Sequence, residues 1–501
     1  MDIPKEKLVF AEHRDRISDE VLKTKPRSYL ADAMLRFTKN RSSVAAAWIL
    51  LFLVIFVLVS PVISPYKITD KDNIYTGYPP FVPAFAHSGI LDGGRVYDSQ
   101  NEISMTFFRG IAEETGMDPF IRVLDENEQK GRYRGKDVVR HTTDIKVNAY
   151  YALGIVYRVF SFDEFDRIQQ WQKETGIQVI YPYVHPRDIE DIRNNPNLWY
   201  KVDPNGRAVL DKDGSFIPVY ATEKDEEGAP YDSIRIPSDD GSYIYSVKKS
   251  GAVQCRVCYY NYYRYIMGHE PFYIMGTTSM GTDLFGAIGV GGRFSLMFAV
   301  LVAAINLFIG TVYGSVQGYY GGAVDLILDR ILEILSGVPF IVVATLFQMH
   351  LAAKVGVVGS FLFAFVLTGW VTIASLTRTQ FYRFRGMEFV MASQTLGASD
   401  ARLMYRHILP NAAGTIITSC ALLIPGIISS ETALSYLGIV DLSSFSGTTL
   451  GTLLSQGSAL VMTAPHTILW PSIFIGLLMI SFNLLGNGLR DAFNPATKGV
   501  N

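Results

Sequence analysis

A chain of 501 residues with 49% hydrophobic and 18% charged side chains is richer in apolar residues than an average soluble protein, and long enough for two or three structural units. The formal net charge of -2 supplies no global basic field, so nucleic acid is not an expected partner. Three cysteines, Cys255, Cys258 and Cys420, are too few for a disulfide-stapled scaffold.

In chain order, residues 1–43 form a leader with about ten Lys and Arg between Lys5 and Arg41. Val44 to Ile63 follows without a charge, about 20 residues, enough to cross a hydrocarbon core of roughly 30 Å as a helix. The charged leader before it and the missing A-x-A-like exit read as an uncleaved anchor rather than a signal peptide.

Residues 64–290 are not membrane-like and read as an extracytoplasmic α+β insertion. Residues 147–160 predict a strand, Ser161 to Glu164 a capping box, and the helix it opens runs to about Thr175 with Gly176 as its stop. Residues 177–184 predict another strand, and Asp203 to Gly206 and Asp211 to Gly214 predict tight turns. Tyr259, Tyr260, Tyr262, Tyr263, Tyr265, Phe272 and Tyr273, close to the next span, predict first an interfacial aromatic belt and second a domain core.

Enzyme motifs fail in this unit. Cys255-x-x-Cys258 is half of a zinc site, and a disulfide or two buried thiols fit it better. His269-Glu270 lacks the second histidine of a zincin, since Tyr273 stands there. Gly276 to Gly281 has the wrong spacing for a nucleophile elbow, and the Asp211 turn lacks the rest of a calcium loop. No catalytic residue and no metal site is expected.

Five further apolar runs lie at 294–316, 324–350, 356–376, 413–437 and 467–485, giving six spans in an all-α polytopic membrane protein. Gly310, Gly314 and Gly318 recur every four residues and predict a close helix contact. Asp325, Asp329, Arg330 and Glu333 precede Gly337 and Pro339, which predicts an interfacial start to the third span and then a kink. Pro425 and Gly426 interrupt the fifth span and suggest a helix lining a cavity. Arg378, Arg383, Arg385, Arg402 and Arg406 crowd the connection at 377–412, whereas 438–466 has no Lys or Arg. That asymmetry places the 377–412 connection and both termini, including the tail at 489–501, in the cytoplasm.

No G-x-x-x-x-G-K-[ST] loop occurs, so any ATP used in transport must be bound by another chain. The cytoplasmic stretch has its own local logic. Glu388 to Leu396 suits a short helix, Gly397 can close it in the left-handed conformation, and Ser399 can cap a second helix with Asp400 at its positive end. Arg402 and Arg406 share a polar face, Leu403, Met404 and Ile408 an apolar one, and Pro410 after Leu409 is expected to forbid continuation. The expected product is a rigid two-part knuckle.

This stretch resembles the E-A-A-x-x-x-G motif of ABC importer permeases through Met391-Ala392-Ser393, Gly397, His407 and Leu409-Pro410. His407 to Asn411, H-I-L-P-N, is similar to the oligopeptide, dipeptide and nickel branch, specifically its C-type subunit. Gly281-Thr282-Asp283, Gly318 to Gly322, Glu431 to Gly438, Phe482 to Asp491 and the elbow-like residues 28–64 agree. Met391 stands where the motif has Glu, with Glu388 one turn earlier.

The resemblance implies a six-helix type I importer permease fold, with the core at 291–488 and the insertion at 64–290 beyond the usual family member. It implies import of oligopeptides, with nickel, a sugar or another small solute as alternatives and a membrane-anchored enzyme or receptor as a remote one. The partners implied are a second homologous permease, two ATPase subunits that use ATP and Mg, an extracytoplasmic substrate-binding protein and the lipid bilayer. No cofactor belongs to this chain. Glu388, Met391, Ala392, Ser393, Gly397, Ala398, Asp400, Arg402, His407, Leu409 and Pro410 would couple to an ATPase. Pro425 and Glu431 would border the translocation path, although Glu431 equally suits holding helices together. The insertion would dock the binding protein or scaffold the outer mouth.

Overall fold

A computed structural model of the protein describes residues 29–86, 88–133, 136–183, 200–201, 207–217, 223–224, 230–231, 240, 242–442 and 447–493. The leader before residue 29, the turn at Asp203 to Gly206 and the last residues of the tail lie outside these.

Helix α1 (Tyr29–Lys39) precedes α2 (Arg41–Ile63), the first span, whose start is capped by Asn40. Among the described residues, five helices or joined helices are long and apolar enough to cross a membrane, and a bent pair makes a sixth candidate. The second span, α7 (Leu284–Tyr320), begins well before the apolar run at 294 because Asp283 caps it, accepting from the amides of Phe285 and Gly286. The third is broken: α8 (Gly322–Ser336) and α9 (Phe340–Val355) meet at 75° across Gly337 to Pro339, where the kink was expected. The fourth joins α10 (Val357–Gly369) to α11 (Val371–Arg385). The fifth is α14 (Leu409–Tyr436). After the short α15 (Leu450–Ser458) comes the sixth, α16 (His466–Phe493).

The glycine stripe packs as its spacing predicts. A Cβ on Gly310 would stand 2.7 Å from Ile373 Cβ, and one on Gly318 2.6 Å from the Arg378 carbonyl oxygen. Backbone-to-backbone approach of α7 and α11 needs side chains of no size at these positions.

Between the first two spans lies a unit of strands and helices. Strands β1 (Gly94–Gln100), β2 (Phe120–Tyr133) and β3 (Lys136–Asn148) form an antiparallel sheet in the order β1-β3-β2. The second sheet centres on β9 (Ala252–Cys258), which pairs with β4 (Ile155–Phe160), β5 (Ile180–Tyr181) and β8 (Ser246–Lys249). A small pair, β6 (Glu223–Lys224) with β7 (Pro230–Tyr231), and helices α3 (Glu102–Thr115) and α6 (Tyr259–Met267) complete it.

The single strand expected at 147–160 is instead two, because Asn148 caps a one-turn helix, α4 (Ala149–Ala152), and Gly154 turns the chain at φ +58° before β4. The strand expected at 177–184 shrinks to β5. There Gln172 Oε1 takes the Val179 and Ile180 amides at 2.6 Å, in place of a longer ladder. Helix α5 (Phe162–Thr175) has the predicted Ser161 cap and left-handed Gly176, but Glu164 accepts from Tyr262 rather than closing the box. The turn at Asp211 to Gly214 is present, flanked by a Leu210–Phe216 bridge.

The aromatic cluster is a core, not a belt: Tyr259, Tyr260, Tyr262, Tyr263 and Tyr273 are buried with Tyr66, Tyr75, Phe81 and Tyr150, while Phe272 is exposed. Ring faces and edges meet each other here, and several hydroxyls find partners, as Tyr259 does at Asp72 (2.8 Å) and Tyr263 at Tyr273 (2.9 Å). Cys255 and Cys258 are buried free thiols, each pushed up to about 12 by burial. Among the described residues no group of three or more His, Cys, Asp or Glu could hold a metal ion.

The unit meets the spans through direct bonds. Ser64 Oγ, just after α2, donates to Asp283 Oδ2 at 2.6 Å. Burial raises the Asp283 carboxyl, opposed by this bond and the capping amides. A Cβ on Gly281, at φ +69°, would stand 1.8 Å from the Asp72 carbonyl oxygen, and His466 Nε2 lies 3.3 Å from the Thr277 carbonyl. This unit is therefore seated on the ends of the first, second and sixth spans.

Candidate functional site

After α11 ends at Arg385, the chain forms α12 (Glu388–Thr395), turns, and forms the three-residue α13 (Asp400–Arg402). Gly397 has φ +81°, and a Cβ there would meet nothing within 4 Å. The turn needs glycine for backbone conformation, not for space. Ser399 takes the extended conformation of a cap, but its side chain makes no capping bond; its carbonyl instead accepts from the Leu403 amide at 3.0 Å.

Pro410 does not stop the chain as expected. Residues Leu403–Ile408 form a π-helical turn that runs straight into α14, with Pro410 at its start. The wider turn absorbs the missing proline amide, and Asn411 Nδ2 donates to the His407 carbonyl at 2.7 Å. The second half of the knuckle is thus continuous with the fifth span.

One face of the knuckle is packed. Val390, Leu403, Met404 and Ile408 are buried with Phe381 of α11, and Ala398 and Leu409 press against them with Val316 and Tyr319 of α7. Asp400 accepts from the Tyr319 hydroxyl at 2.8 Å and the Tyr320 hydroxyl at 3.3 Å. Arg385 Nη1 reaches the Tyr319 carbonyl at 3.3 Å. The other face is open: Glu388, Ala392, Arg402 and Arg406 are exposed, and so are Phe389, Met391 and, at 88%, Leu396. Ser393 Oγ bonds the Phe389 carbonyl, and His407 is half-buried. Large exposed apolar side chains thus stand beside charged ones on this face.

Pro425 and Glu431 lie elsewhere, Glu431 about 30 Å along the helix from Leu409. Glu431 is fully buried; Ser295 Oγ donates to it at 2.8 Å, and the Thr432 and Ser435 hydroxyls stand at 3.4 Å. A Cβ on Gly451 would be 2.5 Å from Ser435 Cβ, so α7, α14 and α15 close around this carboxylate. Pro425 is buried, whereas Gly426 is exposed with open space beside it.

Tyr319, Tyr320 and Arg385, which tie the knuckle to the second span, were not singled out from sequence as site residues. Two tyrosines ending a span, with Asp400 among the arginines of the following connection, were the available signal. Phe389 and Leu396 were not singled out either, because the sequence does not say which side of a short helix packs.

The family model described as binding-protein-dependent transport system inner membrane component matches residues 308–499. The model described as the N-terminal TM domain of oligopeptide transport permease C matches 28–80, and neither covers 81–307. The oligopeptide transport system permease protein OppC of Bacillus subtilis is 37% identical over 223 residues, 44% of this chain and 70% of that protein. The dipeptide transport system permease protein DppC of Bacillus subtilis is 36% identical over 44% of this chain and 68% of its own length. OppC of Haemophilus influenzae is 34% identical over 45% and 71%. With matching ranges at both membrane-embedded parts and relatives at this identity, the chain belongs to the oligopeptide and dipeptide permease family of binding-protein-dependent ABC transport systems.

Proposed function

We propose that this chain is a C-type permease subunit of an ATP-driven oligopeptide importer, and that residues 388–410 dock on an ATPase subunit. The observation that carries this reading is the knuckle: rigidly tied to the second, fourth and fifth spans on one face, open and apolar at Leu396 and Phe389 on the other. A partner that closes on that face would move three spans together. Met391 and Glu388 both stand on the exposed side, so the contact is made through the Met391 thioether and the Glu388 charge together.

ATP and Mg are used by the partner chains, and a second homologous permease completes the path. Gly426 on the open side of α14 borders that path, while Glu431 fastens the helices behind it. The asymmetry of Lys and Arg puts the knuckle and both termini in the cytoplasm, and the inserted unit on the outside. Its seating on three span ends suits a scaffold for the outer mouth that also receives the substrate-binding protein. Peptide cargo is favoured over nickel or a sugar by the names of the relatives.

Replacing Leu396 with Asp in the coexpressed complex tests the docking surface. The expected result is loss of the ATPase subunits on purification through this chain, with the two permeases still together. Undiminished recovery of the ATPase subunits and normal peptide uptake would contradict the reading.

A further inference from the structure

Helix α8 is poorly anchored by apolar burial. Leu332 is its only buried side chain, and Leu326, Ile327, Ile331 and Ile334 are exposed. What holds it is polar. Arg378 of α11 donates from Nη2 to Asp325 Oδ2 at 2.7 Å and from Nη1 to Asp329 Oδ1 at 2.9 Å. Tyr382, one turn further along α11, donates to the same Asp325 oxygen. From α7, the Tyr313 hydroxyl reaches the Leu328 carbonyl at 2.8 Å and Gln317 Nε2 reaches Asp329 Oδ1 at 3.3 Å. Glu333 takes no part; it pairs with Arg330 of its own helix on the exposed side.

The placement of this clamp matters more than its strength. Arg378 and Tyr382 lie on the helix whose end, Arg385, leads directly into the knuckle. Asp325 and Asp329 lie on the arm that meets α9 at 75°. A bidentate guanidinium fixes orientation as well as distance, so a tilt of α11 carries α8 with it, and the bend at Gly337 to Pro339 passes the motion to the third span. Without the clamp, α8 would keep one buried side chain and its bonds to Tyr313 and Gln317 of α7, but would lose the ion pairs that tie it to α11.

We propose that α8 is a strut that links the knuckle to the third span, with Arg378 as the positioning residue that locks it. This rests on the reading of residues 388–410 as the ATPase-docking element. The strut extends it by giving the third span, which the knuckle does not itself continue, a route into the coupled movement. Arg378 acts through Asp325 and Asp329 and touches neither nucleotide nor cargo.

The test uses the complete reconstituted transporter with both permeases, the ATPase subunits and the binding protein loaded with labelled peptide. Arg378→Gln should leave recovery of the ATPase subunits unchanged. It should lower uptake about tenfold and abolish the rise in ATP hydrolysis caused by the loaded binding protein. The charge-exchanged double variant Arg378→Asp with Asp325→Arg should recover a large part of both. Uptake and stimulation within about twofold of the native values in Arg378→Gln would overturn the proposal. So would a defect that the exchange leaves as severe, since that marks a requirement for arginine itself and not for the link. Failure of the docking reading shows differently, as undiminished ATPase recovery in Leu396→Asp.

Discussion

Gly314 lies so close to Ala374 that a Cβ on it would stand 2.2 Å from the Ala374 carbonyl oxygen. The second and fourth spans touch there through backbone, with Gly310 and Gly318 one turn away on either side. Both helices run to the knuckle, α11 through Arg385 and α7 through Tyr319, so this contact sets the spacing of its two supports.

Gly314→Leu is expected to destabilise the chain by about 3 kcal/mol or more, because the obstacle is backbone that cannot rotate aside. Gly426→Leu, where a Cβ meets nothing within 4 Å, is expected to leave folding intact. Thermal unfolding of the two variants in detergent, followed by size-exclusion recovery, checks the contrast.

Glu431 accepts from hydroxyls on α7 and α14 where α15 closes over it. Glu431→Gln keeps an acceptor and the volume, and should retain most stability. Glu431→Ala removes both and should cost about 2–4 kcal/mol. Comparable unfolding temperatures for the two variants would show that the carboxylate does not hold these helices.

Much of the membrane part was legible in the sequence because its signals are local and redundant. Length without charge marks a span, four-residue glycine spacing marks a close contact, and Gly337 to Pro339 marks a bend. What failed depended on geometry between neighbours. Pro410 reads as a stop in isolation, and only a π turn in the six residues before it lets the helix run on. Ser399 has the right position for a cap, but Asp400 is drawn to Tyr319 and Tyr320 from another span. The tyrosine cluster resembles a membrane belt by composition, and its burial follows from partners as distant in sequence as Tyr75 and Tyr150. Arg378 carries no local hint of its two aspartates some fifty residues earlier.

Cys255 and Cys258 are free, and burial pushes each thiol up to about 12. The thiolate is the reactive form, and burial disfavours it at both residues. Native chain exposed to iodoacetamide at pH 8 should leave both residues unmodified. Denatured without reductant, it should take up label at all three cysteines. Two residues that stay unlabelled after denaturation would reveal a disulfide.

Arg256 is fully buried in the inserted unit and holds Glu114 through bonds of 2.8 and 3.2 Å, with a third to the Pro182 carbonyl at 2.6 Å. Arg256→Met strands a buried carboxylate and should destabilise the unit by about 3–5 kcal/mol. Limited proteolysis should then cut within residues 94–258 while the spans remain protected.

Coupling through the knuckle depends on Gly397, whose φ of +81° a β-branched residue strongly resists although there is room for its side chain. The measurement is peptide imported per ATP hydrolysed by the complete reconstituted complex, with Gly397→Val compared with Gly397→Asn. The valine variant is expected still to assemble and hydrolyse ATP but to import peptide at least about tenfold less per ATP, while asparagine, which tolerates this conformation, stays near the native ratio. A native ratio of import to hydrolysis in Gly397→Val would contradict coupling through the knuckle.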